Sequence, residues 1–202
     1  MALSGAGEKR VSMTDEPLAR TERSPSTKTG RLLIIALVAL LGTAIAYLGI
    51  NDAHRAGGLR SGAAAPPFKL ARYGGGTVSL DELRGKVVML DFWATWCPPC
   101  VAEMPALTKL AREYEPKGLV FLAVSEDDHE TAPAQVGVFV AQRVPDLGRS
   151  VVFADSPTVE SYGVESLPTL FLIGRDGRIL ESYSGYASES ALRRRIESAL
   201  GK

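Results

Sequence analysis

The segment from Val87 to Pro105 constrains the fold and the chemistry of this chain more than any other. It begins as an apolar run of strand length, passes through the sequence Trp-Ala-Thr-Trp, and places Cys97 and Cys100 at the start of a helical pattern. These are the only two cysteines in the 202-residue sequence. A Cys-x-x-Cys pair where a strand meets a helix indicates a thiol-disulfide site.

The overall composition narrows the classes of partner and cofactor. The chain carries 23 basic and 23 acidic residues, and this balance gives no reason to expect nucleic acid as a partner. Two cysteines three positions apart cannot form a framework of structural disulfides, so the core must hold the domain together and the pair is free for chemistry. The sequence has no flavin or nicotinamide fingerprint, and we therefore expect no bound cofactor.

The N-terminal part of the chain predicts a membrane anchor. Residues 1–31 are rich in Ser, Thr, Gly and charge, which predicts a disordered cytoplasmic tail. Residues 32–50 carry no charge over 19 positions, and a helix of that length spans roughly 28 Å, about the thickness of a hydrocarbon core. The alternative is a cleaved signal peptide, because Ala44-Ile45-Ala46 resembles a cleavage site. The apolar run continues to Ile50 and the leader is long, which favours an uncleaved transmembrane helix.

The orientation of this anchor follows from charge and from chemistry. Basic residues on its N-terminal side favour a cytoplasmic tail: Arg20, Arg23, Lys28 and Arg31. Arg55 and Arg60 on the other side weaken that asymmetry. An anchored dithiol is most useful outside the cytoplasm, so we expect a single-pass membrane protein whose catalytic domain faces the extracytoplasmic, periplasmic side.

The globular domain is expected at residues 66–202, after a linker rich in glycine and alanine at residues 51–65. The strands predicted in it are 68–72, 86–92, 119–124, 151–153, 169–173 and 178–183. The helices predicted in it are 98–115, a segment from Pro133, 158–162 and a segment after Ser188. This order predicts an α/β fold with a central mixed sheet, and the acidic residues 125–132 are expected to form a solvated loop.

The residue types around the cysteine pair indicate a reductant. Cys97 lies at the predicted N-cap of a helix, where the helix dipole and free amides favour a thiolate nucleophile. Cys100, one turn later and more buried, can attack the mixed disulfide and release the product. Pro98 and Pro99 have no N–H, so the Cys100 amide is the first helix donor left for the Cys97 sulfur. A less stabilised dithiol is a better electron donor.

Two acidic residues are candidates for proton transfer at the dithiol. Asp91 lies within the apolar strand, where burial would raise its pKa and suit it to accept the proton of Cys100. The alternative is an aspartate that satisfies a nearby loop. Glu103 follows Cys100 by three residues, either beneath the dithiol or on an exposed helix face. If both acids face the dithiol, each titration depends on the other.

Other residues are expected to form the surface that substrates meet. Pro168 precedes a predicted strand and is a candidate cis-proline, whose backbone would then approach the sulfur pair. We expect Trp96, Pro98 and Leu167, which neighbour these positions in the chain, to contact substrates.

A metal site is the main alternative from a different class. Zinc would require two further Cys or His ligands at motif spacing, and only His54 and His129 exist. Copper held by Cys97, Cys100 and His129 would make the protein a copper-binding assembly factor. A histidine in an acidic loop is more often solvated, so we assign no metal.

The motifs taken together resemble a known family. The sequence Asp-Phe-Trp-Ala-Thr-Trp-Cys-Pro-Pro-Cys at 91–100, with Pro105 and Leu167-Pro168-Thr169, resembles the thioredoxin superfamily. The sequence Ser-Leu-Asp-Glu-Leu-Arg-Gly-Lys at 79–86, the motif at 96–105 and the predicted anchor are similar to the TlpA/ResA-type thiol-disulfide reductases.

This resemblance covers residues 66–202 and implies a thioredoxin-like fold with a β-α insertion near residues 119–150. It also implies roles for four residues: Cys97 as nucleophile, Cys100 as resolving thiol, Glu103 as the nearby acid and Pro168 as the cis-proline. The position of Asp91 is often Asn or another neutral residue in the anchored group. This chain carries both acids, so which one handles the proton stays open.

The expected function is that of a membrane-tethered thiol-disulfide reductase. It would reduce disulfides in exported proteins, by resemblance apocytochrome c during haem attachment, with electrons from a membrane thiol carrier. The enzymatic alternative is an oxidase or isomerase, which a reduction potential near about −120 mV would favour.

Overall fold

The computed structural model describes Ile34 and residues 36–43 and 59–201. Residues 36–43 are helical, with their side chains exposed, and belong to a separate compact unit from the globular domain. Within the described ranges, no helix is both long enough and apolar enough to cross a membrane.

Several N-terminal predictions therefore fall outside what the structure describes. The predicted tail at residues 1–31 lies wholly outside the described residues, as do most of the predicted anchor at 32–50 and the first part of the linker at 51–65. These assignments stay predictions.

The globular part is a seven-stranded mixed sheet covered by helices, with strand order β2-β1-β5-β4-β3-β6-β7. The strands are β1 Lys69–Arg72, β2 Thr77–Ser79, β3 Val87–Trp93, β4 Leu119–Ser125, β5 Val151–Phe153, β6 Thr169–Ile173 and β7 Ile179–Ser184. The helices are α1 Pro98–Tyr114, α2 Ala132–Gln142, α3 Ser156–Tyr162 and α4 Glu189–Leu200. The strands β3, β4 and β5 are parallel to one another, and the other pairings are antiparallel. The predicted α/β fold with a mixed sheet is confirmed.

Strand β3 lies in the interior of the sheet, and all seven of its residues are buried. It pairs in parallel with β4 and antiparallel with β6, so neither edge is free. Alternate side chains point to opposite faces of a strand. Met89 and Trp93 join the apolar cluster that contains residues of α1 and α4, while Leu90 and Phe92 join the cluster on the other face. The same alternation directs Asp91 to the face that α1 covers.

Three short elements were not predicted, and the first is a strand. Strand β2 has three residues, of which only Val78 is buried, so it is too short to show a two-residue period. It pairs with β1 across a turn that contains Gly74, Gly75 and Gly76, all with positive φ, a region open to glycine at no steric cost. The other two are 3-10 helices, at Glu115–Lys117 and at Pro145–Ser150. Residues 119–150 otherwise contain a strand followed by a helix, as the resemblance implied.

Candidate active site

The cysteine pair lies where β3 passes into α1 through a tight turn. The Cys97 N–H donates to the Ala94 carbonyl over 3.1 Å, and the Val101 N–H donates to the Cys97 carbonyl over 3.0 Å. Cys97 is the N-cap of α1, and its sulfur accepts the Cys100 N–H at 3.4 Å. Pro98, at the first helical position, has no N–H to offer. The prediction that the Cys100 amide is the first donor available to this sulfur is confirmed.

The two cysteines form a disulfide, with an S–S distance of 2.02 Å and Cα atoms 5.3 Å apart. The structure therefore describes the oxidised protein. Cys97 keeps 4% of its surface exposed and Cys100 is fully buried. An incoming thiolate reaches Cys97 first, which agrees with its predicted role as the sulfur that exchanges with substrates.

Asp91 is a buried carboxyl with no hydrogen-bond partner in the described part of the chain. Both of its side-chain oxygens are buried and unpaired. Burial raises the pKa of Asp91 well above its ordinary value, and the charge of Glu103 raises it further. The predicted burial and raised pKa are confirmed, and its part in proton transfer stays a prediction.

Glu103 is also buried, although its place on the helix left that open. Only 2% of its surface is exposed. Burial raises the pKa of Glu103 to about 7, and a hydrogen bond from the Ala187 backbone amide opposes this shift. Two carboxyls that interact and resist ionisation keep a proton close to the dithiol near neutral pH.

Pro168 lies at the same end of the sheet as the cysteine turn. The Leu167–Pro168 peptide bond is cis, as expected of a candidate cis-proline. Thr169, the next residue, pairs with Phe92 of β3, so Pro168 lies at the end of the sheet where β3 leads into the turn. Leu167 is half-buried and packs against the apolar clusters on both faces.

The other predicted substrate-contact residues are accessible. Trp96 is 65% exposed, which leaves its ring accessible to a substrate. Pro98 is exposed as well. Contact of these residues with a substrate stays a prediction.

The copper alternative has no ligand set among the residues that the structure describes. His129 is exposed in the loop after β4. In the ranges that the structure describes, no group of three or more His, Cys, Asp or Glu side chains is arranged to hold a metal ion. His54, the other histidine, lies outside the described residues.

One prediction about the acidic loop is wrong. Residues 125–132 were expected to be solvated, and Asp128 and Glu130 are indeed exposed. Asp127, however, is only 4% exposed, and its carboxylate accepts hydrogen bonds from Thr95 and Ser125. The loop after β4 lies beside the loop after β3 because these strands are parallel neighbours. An acidic residue two positions past a buried strand was the signal that could have identified it.

A second contribution to the site comes from the loop between β7 and α4. The Gly185 N–H donates to the Pro168 carbonyl over 2.8 Å, and Ala187 belongs to the buried cluster that contains both cysteines. Tyr186, between them, is 60% exposed. No sequence signal links this distant loop to the cysteine motif, because the contact depends on how β6 and β7 return to the sheet.

A redox-active cysteine pair at the start of a helix, on a mixed sheet of this topology, defines the class of thioredoxin-like thiol-disulfide oxidoreductases. The redoxin family pattern matches residues 60–200. The chain belongs to the redoxin family.

Curated relatives and solved structures agree with this class. The chain is 35% identical over 140 residues to the thiol-disulfide oxidoreductase ResA of Bacillus thuringiensis, covering 66% of this chain and 75% of the relative. It is 31% identical over 167 residues to ResA of Halalkalibacterium halodurans, covering 81% of this chain and 91% of the relative. A crystal structure from Chlorobium tepidum, described as a thiol:disulfide interchange protein DsbE, is 35% identical with a TM-score of 0.65. That match covers 71% of this chain and 100% of the other.

Proposed function

We propose that this thiol-disulfide oxidoreductase acts as a membrane-tethered reductant on the extracytoplasmic side. The observation that carries the direction is the hydrogen bonding of the Cys97 sulfur. It accepts the Cys100 N–H at 3.4 Å, while the two prolines between the cysteines contribute no donor. A thiolate with few donors is less stabilised, and a dithiol of this kind gives its electrons away more readily.

The two buried acids support the same direction. Glu103 lies one helical turn after Cys100 and interacts with Asp91. The fraction of either carboxyl that is ionised opposes a thiolate at Cys100. This opposition destabilises the reduced form when its thiols ionise. Oxidation of the dithiol, which reduces the substrate, is correspondingly favoured.

The reaction proceeds by two exchanges. The Cys97 thiolate attacks one sulfur of the substrate disulfide, and the other sulfur leaves as a thiolate that takes up a proton. A buried carboxylate, of Asp91 or of Glu103, accepts the proton of Cys100. The Cys100 thiolate then attacks the Cys97 sulfur, which restores the internal disulfide and releases the substrate with both sulfurs reduced. Two electrons pass from the protein to the substrate.

The proposed place of action and partners follow from the sequence. Residues 32–50 are apolar and long enough to anchor the chain in a membrane. The substrates would be disulfides in exported proteins, with apocytochrome c favoured by the resemblance to the ResA group. A membrane thiol carrier would return electrons to the Cys97–Cys100 disulfide.

The first test is the direction of the reaction in the full-length protein. Once reduced, the protein is expected to cleave the interchain disulfides of insulin, and a variant with both cysteines changed to serine is expected to be inactive. Equilibration with glutathione gives the reduction potential. A value well below about −120 mV supports a reductant, and a value near it supports the oxidase or isomerase alternative.

The second test identifies the substrate. Cys100→Ser leaves Cys97 able to attack but removes the thiol that resolves the mixed disulfide. In native membranes this variant is expected to hold its substrate through a bond that a reductant breaks, and mass spectrometry would identify it. Cys97→Ser is the matched control and should trap nothing. Equal trapping by both variants would contradict the assignment of Cys97 as nucleophile.

A further inference from the structure

The two central residues of the turn that presents Cys97 have little packing of their own, although the residues at its ends, Ala94 and Cys97, are buried. The bond from the Cys97 N–H to the Ala94 carbonyl, at 3.1 Å, makes Thr95 and Trp96 the central residues of this turn. Trp96 is largely exposed and Thr95 is half-buried. Contacts that fix Thr95 therefore contribute to the position of the Cys97 sulfur, beside the packing of Cys97 itself.

Asp127 supplies those contacts from the neighbouring strand connection. The Thr95 N–H donates to both of its carboxylate oxygens at 3.1 Å, and the Thr95 hydroxyl donates to Oδ1 at 2.5 Å. The Ser125 hydroxyl donates to Oδ2 at 2.8 Å. Hydrogen bonds to a charged acceptor away from water are among the stronger ones in proteins.

The backbone connects this carboxylate to the sheet. The Glu126 N–H donates to the Trp93 carbonyl over 2.8 Å, which extends the ladder between β3 and β4 by one residue. The Asp127 N–H then donates to the Ser125 hydroxyl at 3.3 Å and turns the chain back. The turn before Cys97 is thus attached to the end of β4 through one buried side chain.

We propose that Asp127 is a positioning residue for thiol-disulfide exchange, acting through Thr95 to hold the Cys97 sulfur in line with the substrate disulfide. Attack on a disulfide requires the incoming sulfur to approach along the S–S axis, so the orientation of Cys97 affects the rate directly. The inference rests on the proposed exchange at Cys97, and it adds a residue outside the cysteine motif to that reaction.

The test compares variants of the full-length reduced protein in their rate of reaction with glutathione disulfide. Asp127→Asn keeps the shape but loses acceptors, and it is expected to slow the exchange by about 10- to 100-fold, the scale of loss for a displaced reacting group. Thr95→Val removes the hydroxyl and is expected to slow it by about tenfold. Thr95→Ser keeps the hydroxyl and should stay within about twofold of the unmodified chain.

Asp155→Asn is the matched control for charge. Asp155 follows β5 at the same end of the sheet, and its carboxylate accepts the Thr158 N–H at 2.8 Å without touching the turn. It loses the same charge and should stay within about twofold of the unmodified chain. An equal loss in this variant and in Asp127→Asn would overturn the inference, because charge alone would then explain both.

Alkylation of Cys97 by iodoacetamide across pH separates position from acidity, because its rate follows the thiolate population. The midpoint of this pH profile gives the pH at which half of Cys97 is a thiolate. The proposal requires the Asp127→Asn variant to keep most of its loss of exchange rate after correction for any shift of this midpoint. A shift of the midpoint that accounts for the whole loss of exchange rate would overturn the proposal.

If the Asp127→Asn variant does not fold, the difference in exchange rate between Thr95→Val and Thr95→Ser decides. If the unmodified protein exchanges with no disulfide, the proposed function fails instead.

Discussion

Two buried aspartates near the cysteine pair have opposite surroundings. Asp91, within β3, has neither oxygen hydrogen-bonded in the described part of the chain. Asp127, just past β4, accepts hydrogen bonds from Thr95 and from Ser125. Both are almost fully inaccessible. The hydrogen-bond donors around a buried carboxyl, rather than its burial alone, therefore decide what it can do.

The backbone explains the difference. Asp91 lies opposite Ala123 on one side and Leu170 on the other, in the interior of the sheet, where backbone amides already serve the ladder. Its carboxyl has no hydrogen-bond donor among the described residues, so burial raises its pKa. Asp127 lies beyond the ladder, where the amide and hydroxyl of a turn residue are available. We interpret Asp91 as a group for proton transfer. We interpret Asp127 as a structural group that fixes the turn containing Thr95.

Asp127→Ala should produce the largest loss of stability. It leaves the half-buried Thr95 amide and hydroxyl and the buried Ser125 hydroxyl without their acceptor. An unpaired donor costs about 1–3 kcal/mol where it is buried and less where water can reach it. We expect the free energy of unfolding of the oxidised protein to fall by about 4 kcal/mol in denaturant titrations. Asp155→Ala, which removes a single helix cap, should cost about 1 kcal/mol. Equal losses would mean that Asp127 is an ordinary cap.

The pH dependence of stability should come next in size. Glu103 has a pKa of about 7 in the folded protein against an ordinary value of 4.5, so the folded state binds its proton more tightly. Stability is therefore greatest below pH 4.5 as far as this group is concerned, and it falls as pH rises towards 7, by roughly 3 kcal/mol at most. Asp91 acts in the same direction.

Glu103→Gln should flatten that profile. Unfolding measured from pH 4.5 to 8 would show a smaller fall in the variant than in the unmodified protein. Glu113→Gln is the control, because burial raises the pKa of Glu103 whereas Arg193 lowers that of Glu113. A profile unchanged by Glu103→Gln would show that Glu103 does not keep its proton in the folded state.

Asp91→Ala should have the opposite sign from Asp127→Ala. It removes two buried oxygens that have no partner among the described residues, and an unpaired buried polar group costs about 1–3 kcal/mol. We expect the free energy of unfolding of the variant to be about 2 kcal/mol higher at neutral pH. We also expect the variant to resolve mixed disulfides more slowly, because a candidate proton acceptor is lost. A loss of stability would mean that Asp91 has donors in solution.

The sequence predicted the residues whose roles depend on near neighbours in the chain. The apolar run around Asp91 predicted its burial, and the two prolines predicted that the Cys100 amide would serve the Cys97 sulfur. The mixed sheet was predicted because strands that alternate with helices follow general rules. Glu103 stayed open, since residues three apart on a helix can face either the core or solvent.

What escaped prediction depends on contacts between segments distant in sequence. Asp127 meets Thr95 across 32 positions, and Ala187 reaches Glu103 from the far end of the chain. An aspartate next to Asp128 and Glu130 has the composition of a solvated loop. The burial of Asp127 and its hydrogen bonds from Thr95 and Ser125 show that one of these acids points inward.

The smallest expected effect is the sharpest test of the comparison. Asp128 is adjacent to Asp127 and carries the same charge, but it is exposed, and its Oδ1 accepts only a local bond from the Glu130 N–H at 3.0 Å. Asp128→Asn should change the free energy of unfolding by less than about 0.5 kcal/mol, the usual range for a surface substitution. Its rate of exchange with glutathione disulfide should be unchanged. Losses comparable to those of Asp127→Asn would show that the charge of the whole loop, rather than one buried carboxylate, holds the turn before Cys97.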